Sequence, residues 1–494
     1  MKFLSTRDIN KIKYNSAQVI KQGLAHDGGL FIPEIIPTLS LDDIKSFCCL
    51  SYPELAATVL GKFLTDYSYS ELLEDAKNAY NDVSFPDGAC PLVKIDNHTY
   101  SLELWHGPTC AFKDMALQIM PKLISRALLK TGESRSALVL VATSGDTGKA
   151  ALEGYKDVDQ IKICVFYPKN GVSTVQELQM TTQIGSNVNV CSVEGNFDDI
   201  QTGVKRIFND ENIAKELNSQ GYFLSSANSI NFGRLAPQIV YYIKAYCDLL
   251  SQNEIELGDK INVCVPTGNF GNILAAYIAK IMGLPINRLI CASNSNNVLT
   301  DFLKSGKYDR HRDFHITMSP SMDILISSNL ERLIYLVSNA DQTAKYMKML
   351  TDDGFYQVSD DIKRKIDENF IGYFANESQT ADTIAKYFNS ADYLMNTHTA
   401  VAFSALESYR NEYHDNTKTV VASTASPYKF ASNVYSAIYG NNPFNDLSTL
   451  EELSKTTGTK IPAPLYQLDK KDVNFNKVIG VDGMFNELLN FIKK

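Results

Sequence analysis

The sequence lacks the features that identify several large classes of protein. It has no apolar run long enough to cross a bilayer, and residues 1–8 lack the apolar core of a secretory signal. It has no long run of lysine and arginine, and its formal net charge is −9 at pH 7. Because nucleic-acid binding usually depends on basic patches, we do not expect a nucleic-acid partner. Because a long apolar run is missing, we do not expect a membrane partner either. We predict a cytoplasmic protein.

Paired cysteines and clustered histidines are also missing. The nine cysteines are scattered without a CxxC pair, and the seven histidines are dispersed. An odd number of cysteines, several of them inside apolar runs, is typical of reduced and buried thiols. The sequence also offers no metal-ligand cluster, and we predict no metal site.

What is present is an ordinary globular composition in a long chain. Hydrophobic residues make up 44% of the sequence and charged residues 21%, which argues against extensive disorder. A chain of 494 residues is too long to fold around a single hydrophobic core, so two or three domains are expected. We predict an N-terminal domain at residues 1–90, a smaller α/β domain at 91–210, a large α/β domain at 211–450 and a C-terminal tail at 451–494.

Continuous apolar runs alternate with helical patterns along the chain. The runs at residues 137–142, 163–167, 261–266 and 419–422 are typical of strands that are covered on both faces. Their alternation with helices predicts βαβ units and mainly parallel sheets flanked by helices. Residues 92–95 and 100–104 predict a hairpin instead. The predicted helices cover residues 41–47, 52–63, 114–130, 235–250, 273–282 and 428–438, with a kink or restart at Pro121.

The segment HGPTCAFKD at residues 106–114 places Lys113 in unusual surroundings for a lysine. Cys110, Ala111 and Phe112 precede it, and a helix with an apolar stripe follows. Loss of hydration disfavours the ammonium form, which lowers the pKa and makes a free amine available for Schiff-base formation with an aldehyde. The alternative is a lysine whose stem lies on apolar surface while its ammonium group reaches solvent, and for a single lysine this alternative is the commoner one.

The loop TGNFGN at residues 267–272 joins a predicted strand to a predicted helix. Its two glycines allow a sharp turn, so that several N–H groups can point at one anion in front of the helix. The loop matches neither GxxxxGK[ST] nor GxGxxG, so a small phosphate monoester fits it better than a nucleotide. An ordinary tight turn explains this loop about equally well.

Polar groups gather in three other loops. TSGDTG at residues 143–148 and STASP at 423–427 each follow a predicted strand, where ligands of parallel sheets bind. Hydroxyl groups before a helix are also common capping chemistry. SANSINFGR at residues 226–234 precedes a helix, and Arg234 is either a clamp for a substrate anion or a solvated residue at a helix start.

A Schiff-base lysine together with a separate phosphate cradle describes pyridoxal 5′-phosphate better than other common cofactors. The motifs that carry these groups resemble those of threonine synthases, which are fold-type II pyridoxal-phosphate enzymes related to the tryptophan synthase β subunit. The resemblance runs over nearly the whole chain. It rests on GLAHDGGLFIP at 23–33, HGPTCAFKD at 106–114, ATSGDTG at 142–148, EGNFDD at 194–199, SANSINFGR at 226–234, VPTGNFGN at 265–272 and STASPYKF at 423–430.

The resemblance implies roles for individual residues. Lys113 would hold pyridoxal phosphate covalently, and Thr424 would face the pyridine nitrogen. The cofactor phosphate would be cradled by Gly268, Asn269, Phe270, Gly271 and Asn272. The residues expected at the substrate are Ser144, Asp146 and Thr147, near its carboxylate or the cofactor ring, and Asn228, Ser229 and Arg234, near its phosphate or carboxylate.

One position departs from the family pattern. Many relatives carry a basic residue just before the Val/Ile-Ser pair, where this chain has Gly171 before Val172 and Ser173. Lys169 is the nearby residue that could supply positive charge instead.

The resemblance also implies a reaction, in which O-phospho-L-homoserine and water give L-threonine and phosphate. A related pyridoxal-phosphate phospho-lyase or dehydratase would share the same cofactor residues. A catalytically silent binding protein of this fold and an unrelated Schiff-base aldolase are further alternatives. The expected partner is a small-molecule substrate, and we expect a monomer or a homodimer.

Overall fold

The computed structural model of the protein describes residues 1–493, and two sheets covered by helices form its centre. The strands are β1 (Phe3–Ser5), β2 (Phe31–Pro33), β3 (Leu92–Lys94), β4 (Thr99–Glu103), β5 (Ser136–Ala142), β6 (Ile161–Pro168), β7 (Val188–Glu194), β8 (Tyr222–Ser226), β9 (Ile261–Pro266), β10 (Ile286–Ser293), β11 (Lys307–Asp309), β12 (Phe355–Gln357), β13 (Phe370–Phe374), β14 (Thr419–Ser423) and β15 (Val478–Gly480).

The helices in the N-terminal half are α1 (Ser16–Gln22), α2 (Leu41–Phe47), α3 (Tyr52–Phe63), α4 (Tyr69–Ala79), α5 (Asp114–Leu117), α6 (Met120–Lys130), α7 (Asp146–Tyr155), α8 (Thr174–Thr181), α9 (Phe197–Asn209), α10 (Glu211–Ser219) and α11 (Phe232–Ser251). Those that follow are α12 (Gly271–Met282), α13 (Val298–Ser305), α14 (Leu330–Val337), α15 (Ala340–Asp352), α16 (Asp360–Asp367), α17 (Glu377–Ala391), α18 (Thr397–Tyr413), α19 (Ala431–Tyr439), α20 (Asp446–Thr457) and α21 (Met484–Ile492). None of the helices within residues 1–493 combines the length and the apolar character needed to cross a membrane.

The larger sheet has the strand order β13-β10-β9-β14-β4-β3. Its neighbours pair in parallel except for the β3–β4 hairpin, which is antiparallel as predicted. Every residue of β9 and of β14 is buried, which explains why these strands appear in the sequence as continuous apolar runs. The carboxyl ends of β9 and β14 therefore deliver two loops to the same edge of the sheet.

The smaller sheet has the order β15-β7-β6-β5-β8, and all of its strand pairs are parallel. The interior of β5 is fully buried, and so is nearly all of β6. The loop that leaves the carboxyl end of β5 leads directly into α7. The mainly parallel, helix-covered architecture predicted from the sequence is confirmed.

The segment after Lys113 is not one continuous helix. α5 ends at Leu117, and α6 begins at Met120 with Pro121 in its first turn. Proline fits that position because the first N–H groups of a helix have no partner within the helix. The predicted restart at Pro121 is confirmed.

The sheets cross the predicted domain limits. β3 and β4, which lie in the range 91–210, pair into the larger sheet, whereas β8 and β15 from beyond residue 210 complete the smaller one. The division at residues 90, 210 and 450 remains a prediction about domains.

Candidate active site

The loop that carries Lys113 is fastened to the end of β14 by backbone hydrogen bonds. The N–H of Phe112 donates to the carbonyl of Thr424 over 2.8 Å, and the N–H of Ser426 donates to the carbonyl of Cys110 over 3.0 Å. Cys110 reaches this path with a left-handed backbone, at φ 59°. The predicted cofactor lysine and the predicted partner of the pyridine nitrogen therefore lie on two paired segments.

The side chain of Lys113 is buried, and its Nζ lies 3.6 Å from Oδ2 of Asp146. Burial lowers the pKa of Lys113 to about 8, while Asp146 opposes the shift and the charges of Arg234 and Lys429 add to it. The lowered pKa predicted from the apolar neighbours of this lysine is confirmed. The free amine is therefore far more populated near neutral pH than it would be at the ordinary lysine pKa of 10.5.

Asp146 lies at the first turn of α7 between two lysines. Its Oδ1 is 2.7 Å from Nζ of Lys429 and accepts a hydrogen bond of 2.9 Å from Nε2 of Gln176. Burial disfavours the charged carboxylate, but Lys429 and Lys113 outweigh it and hold the pKa of Asp146 well below its usual range. Asp146 is thus a fixed negative charge beside the Lys113 amine.

Lys429 is fully buried and also fixes the lysine loop. Its Nζ donates to the carbonyl of Thr109 over 3.0 Å, and Thr109 in turn donates its N–H and its hydroxyl to the carboxylate of Asp114. Lys429 thereby joins the loops that follow β5 and β14 to the segment around Lys113.

Ser144 lies in the loop before α7 and Thr147 in the first turn of that helix, next to Asp146, and both are half-buried. Thr143 fixes this turn, because its hydroxyl oxygen accepts hydrogen bonds from the N–H groups of Gly145 and Gly148 over 3.0 and 2.9 Å. Gly145 has φ 132°, a conformation that favours glycine. Ser144 and Thr147 therefore flank Asp146 within two residues along the chain.

The predicted phosphate loop joins β9 to α12. Phe270 adopts a left-handed conformation at φ 61°, which turns the chain into the first residues of α12. A Cβ atom on Gly268 would lie 2.9 Å from the carbonyl oxygen of Ser321, so glycine is required there by close backbone contact. The Oδ1 of Asn272 accepts from Tyr241 and Tyr242, whereas its buried Nδ2 has no partner within the described residues.

A segment at residues 320–329 closes over this loop. Ser327 donates its hydroxyl to the carbonyl of Gly268 over 2.7 Å, and the N–H of Asn329 donates to the carbonyl of Asn269 over 3.0 Å. A Cβ atom on Gly271 would lie 3.5 Å from Nδ2 of Asn329, which is an ordinary contact distance. The loop is therefore preformed by a part of the chain that lies more than 50 residues away.

His398, at the start of α18, binds the segment at residues 320–329 through its imidazole ring. Its Nε2 accepts a hydrogen bond of 3.1 Å from the N–H of Ser321, and its Nδ1 lies 3.2 Å from Oδ1 of Asn396. Burial lowers the pKa of His398 to about 3, so the ring is neutral and Nδ1 carries the proton.

Arg234, predicted to clamp an anion, is buried at the first turn of α11. Its Nη1 donates to the carbonyl of Ala227 over 2.8 Å, and burial lowers its pKa to about 10. Asn228 accepts a backbone hydrogen bond from Asn231, and the hydroxyl of Ser229 accepts one from Asn329. The alternative of a solvated arginine is wrong, because Arg234 is only 5% exposed.

A second buried arginine holds this loop in place. Arg332 donates to the carbonyls of Ser229 and Ile230, and its Nε donates to the carbonyl of Phe31 over 3.0 Å. The loop around Asn228 and Ser229 is thereby fixed against α14 and the N-terminal region.

Lys169, the residue nearest to the family departure at Gly171, lies farther out. It is exposed, and its Nζ is 3.7 Å from the carboxylate of Glu194. Its charge is therefore shared with an acidic neighbour at the surface.

Three family models match the chain in succession. Residues 2–80 match the threonine synthase N terminus, residues 83–425 the pyridoxal-phosphate dependent enzymes, and residues 399–475 the threonine synthase C-terminal region. Threonine synthase of Pseudomonas aeruginosa is 37% identical over 449 residues, which cover 90% of this chain and 92% of that protein.

The chain belongs to the threonine synthase family.

Other similar proteins are also named as threonine synthases or threonine synthase-like proteins, and they differ in length. The human protein threonine synthase-like 1 is 40% identical over 456 residues, which cover 88% of this chain but only 60% of that protein. The crystal structure of pyridoxal-phosphate-bound threonine synthase from Brucella melitensis superposes with a TM-score of 0.88 at 35% identity and covers all of both chains. The fold is therefore that of the fold-type II pyridoxal-phosphate enzymes, and pyridoxal phosphate is the cofactor.

The residues present fit that cofactor. The unpaired Nδ2 of Asn272 is a buried donor at the start of α12. In the loop before α12, the close packing around Gly268 leaves no room for a side chain, so the loop backbone is not covered by one at this position. Lys113, with its lowered pKa, provides the amine that condenses with an aldehyde. A donor-rich loop and a free amine are what a phosphorylated aldehyde requires.

Several residues of this site were missed by the sequence analysis. They are Thr109, Gln176, Ser327, Asn329, Arg332, His398 and Lys429. Two of them had an available signal, because Thr109 lies in the HGPTCAFKD motif and Lys429 in the STASPYKF motif, both already assigned to the site.

Proposed function

We propose that this protein is a threonine synthase that converts O-phospho-L-homoserine and water into L-threonine and phosphate, as the last step of threonine biosynthesis. The observation that carries the proposal is the buried pair of Lys113 and Asp146 next to the loop of Thr424, in a chain of the threonine synthase family. Pyridoxal phosphate, when bound, supplies an electron sink for charge that develops on the substrate.

In this proposal Lys113 first binds the cofactor and then serves as the base. When it is not bonded to the cofactor, the amine of Lys113 would move protons at Cα and Cβ of the substrate. Asp146, held ionised by Lys429, keeps the ammonium form of Lys113 accessible during turnover. Both protonation states of the lysine can thus be used near its pKa of about 8.

The remaining predicted residues bind and orient. Gly268, Asn269, Phe270, Gly271 and Asn272 hold the cofactor phosphate with backbone N–H groups and the free amide of Asn272. Thr424 would face the pyridine nitrogen with a hydroxyl group, which would not force that nitrogen to stay protonated.

Two sets of residues hold the substrate. Ser144 and Thr147, on the loop of Asp146, orient its carboxylate, and Asn228, Ser229 and Arg234 hold its phosphate until that group leaves from Cγ. The buried guanidinium of Arg234 suits this role because charge-assisted hydrogen bonds to phosphate are strong where water is excluded.

The test is to incubate the holoenzyme with O-phospho-L-homoserine and to follow phosphate and threonine together. We expect equal amounts of both products, complete loss of turnover in Lys113→Ala and loss of its visible absorption band. Lys77→Ala, at an exposed position of α4, is the matched control and keeps the activity. Full activity in Lys113→Ala would overturn the proposal.

The same experiment separates the alternatives. A phospho-lyase or dehydratase of this family would release 2-oxobutanoate or another product in place of threonine. A silent binding protein would show the absorption band without turnover, and an unrelated aldolase would show neither.

We further propose that the protein acts in the cytoplasm, as a monomer or a homodimer, without a nucleic-acid partner. The net charge of −9 supports the last point. Size-exclusion chromatography with light scattering gives the oligomeric state, and a mass above that of a dimer would contradict this part of the proposal.

A further inference from the structure

A polar cleft of about 580 Å³ lies between α7, α8 and the C-terminal segment 464–474. Its volume is in the range of small-molecule sites. Pro108 and Gln179 also line it, and Pro108 belongs to the loop that leads to Lys113. Within residues 1–493, the walls of the cleft include neither Lys113 nor Arg234 nor any residue of the loop 268–272, so the residues expected to contact the cofactor and the substrate phosphate do not line it.

The cleft is basic although the chain as a whole is acidic. Four lysines face two carboxylates, and these residues are Lys149, Lys156, Lys470, Lys471, Glu153 and Asp472. Lys149 is already paired with Glu153 at 2.9 Å. Lys156 on one wall and Lys470 and Lys471 on the other remain, and after the carboxylate of Asp472 is subtracted they leave the cleft with a net charge of +2.

Gln179 provides an independent sign of a ligand. Its side chain is 1% exposed, and its Nε2 donates to the carbonyl of Thr109 over 3.4 Å. Its Oε1 is buried and accepts no hydrogen bond within the part of the chain that the structure describes. Leaving a buried acceptor unpaired is unfavourable, so a ligand that donates a hydrogen bond to this oxygen gains affinity.

We propose that this cleft binds a small organic phosphate, with its phosphate group among Lys156, Lys470 and Lys471 and a hydroxyl or amino group donated to Oε1 of Gln179. Lysine ammonium groups bind phosphate as point charges. The volume exceeds what inorganic phosphate alone would fill, and the neutral acceptor of Gln179 requires a donor on the rest of the ligand. The site does not depend on the proposed reaction.

Glycerol 3-phosphate is a suitable probe because it carries both a phosphate and hydroxyl donors. Calorimetric titration of the holoenzyme measures its Kd, and hydrogen exchange with and without the probe locates the site. We expect slower exchange in residues 174–183 and 464–474. We expect Lys470→Gln/Lys471→Gln to raise the Kd about tenfold or more, equivalent to about 1.4 kcal/mol.

The matched control is Lys455→Gln/Lys460→Gln, which removes the same charge from exposed positions outside the cleft and should leave the Kd unchanged. Inorganic phosphate, which cannot fill the cleft, should bind at least tenfold more weakly than the ester. Equal Kd values in the cleft variant and the wild type would overturn the proposal. Protection confined to the loops of Lys113 and Gly268, or tighter binding of inorganic phosphate, would overturn it as well. None of these measurements uses turnover, so failure of the proposed reaction would be seen separately.

Discussion

At the scale of single residues, the charge balance around Lys113 depends on Lys429. Lys429→Met keeps much of the side-chain volume but leaves the buried carboxylate of Asp146 with only Lys113 as a cation, at 3.6 Å. Because an uncompensated buried charge is expensive, we expect the free energy of unfolding to fall by about 3 kcal/mol. We expect kcat/KM to fall roughly 100-fold, since Asp146 and Thr109 lose their common anchor.

Chemical denaturation and steady-state kinetics check this prediction. Lys418→Met is the control, because it removes a lysine from an ion pair with Glu254 near the surface and should cost at most about 1 kcal/mol. Adding Asp146→Asn to Lys429→Met should recover stability but not activity. Equal losses in Lys429→Met and Lys418→Met would contradict the argument.

His398 gives the protein a specific sensitivity to acid. Its pKa in the folded state is about 3, below the usual 6.5, because it is buried. The unfolded chain therefore binds a proton that the folded protein excludes between about pH 6.5 and pH 3, and stability falls as the pH is lowered through this window. From pH 7 to pH 5 this residue alone should remove about 2 kcal/mol.

Denaturation curves at pH 7 and pH 5 test this prediction in His398→Gln. Glutamine can still accept from the N–H of Ser321 but does not titrate, so the variant should lose about 2 kcal/mol less than the wild type over this interval. His98→Gln, at an exposed turn, should follow the wild type. The same loss in His398→Gln and the wild type would show that other groups cause the acid sensitivity.

At the scale of elements, the loop between β9 and α12 depends on close backbone contact with residues 320–322. Gly268→Ala would place a Cβ atom 2.9 Å from the carbonyl oxygen of Ser321 and 3.2 Å from Cα of Met322. These are backbone atoms that cannot rotate away, so the loop itself must move. We expect the Kd for pyridoxal phosphate to rise about tenfold or more, which corresponds to about 1.4 kcal/mol.

Titration of the apoenzyme with the cofactor, followed by absorbance, measures this change. Gly61→Ala in α3 is the control, because its nearest neighbour would be Cδ1 of Leu72 at 3.6 Å and alanine favours a helix. An unchanged cofactor affinity in Gly268→Ala would mean that residues 320–322 adjust to the loop.

The elements themselves were largely predictable from local sequence. Strand β9 was predicted with its observed limits, and the pattern of α3 was equally clear, because apolar periodicity and capping residues are local signals. The partners of these elements were not predictable. Ser327 bonds to Gly268 across 59 residues and Lys429 bonds to Thr109 across 320, and nothing in the local pattern encodes such contacts.

At the scale of the whole molecule, the N-terminal region is anchored to the helix that supports the active site. The carboxylate of Glu331 on α14 accepts from Nε and Nη2 of Arg7 over 2.8 and 2.7 Å and from the hydroxyl of Thr6 over 2.6 Å. Its neighbour Arg332 reaches back to the carbonyl of Phe31 in β2. α14 also follows Asn329, which holds the phosphate loop through Asn269. A change in the N-terminal region should therefore alter the binding of the cofactor.

Arg7→Met tests this coupling. It leaves the nearly buried carboxylate of Glu331 without its cation, so we expect the free energy of unfolding to fall by about 3 kcal/mol. Because α14 loses its anchor, we also expect faster release of pyridoxal phosphate, measured as decay of its absorbance after dilution.

Lys13→Met, which breaks an exposed pair with Glu34, should change stability by at most about 1 kcal/mol and leave release unchanged. Arg7→Met with Glu331→Gln removes the unpaired charge and should recover most of both losses. A loss of stability in Arg7→Met with unaltered cofactor release would show that the anchor serves folding alone, since α14 would then keep its contact with the phosphate loop without it.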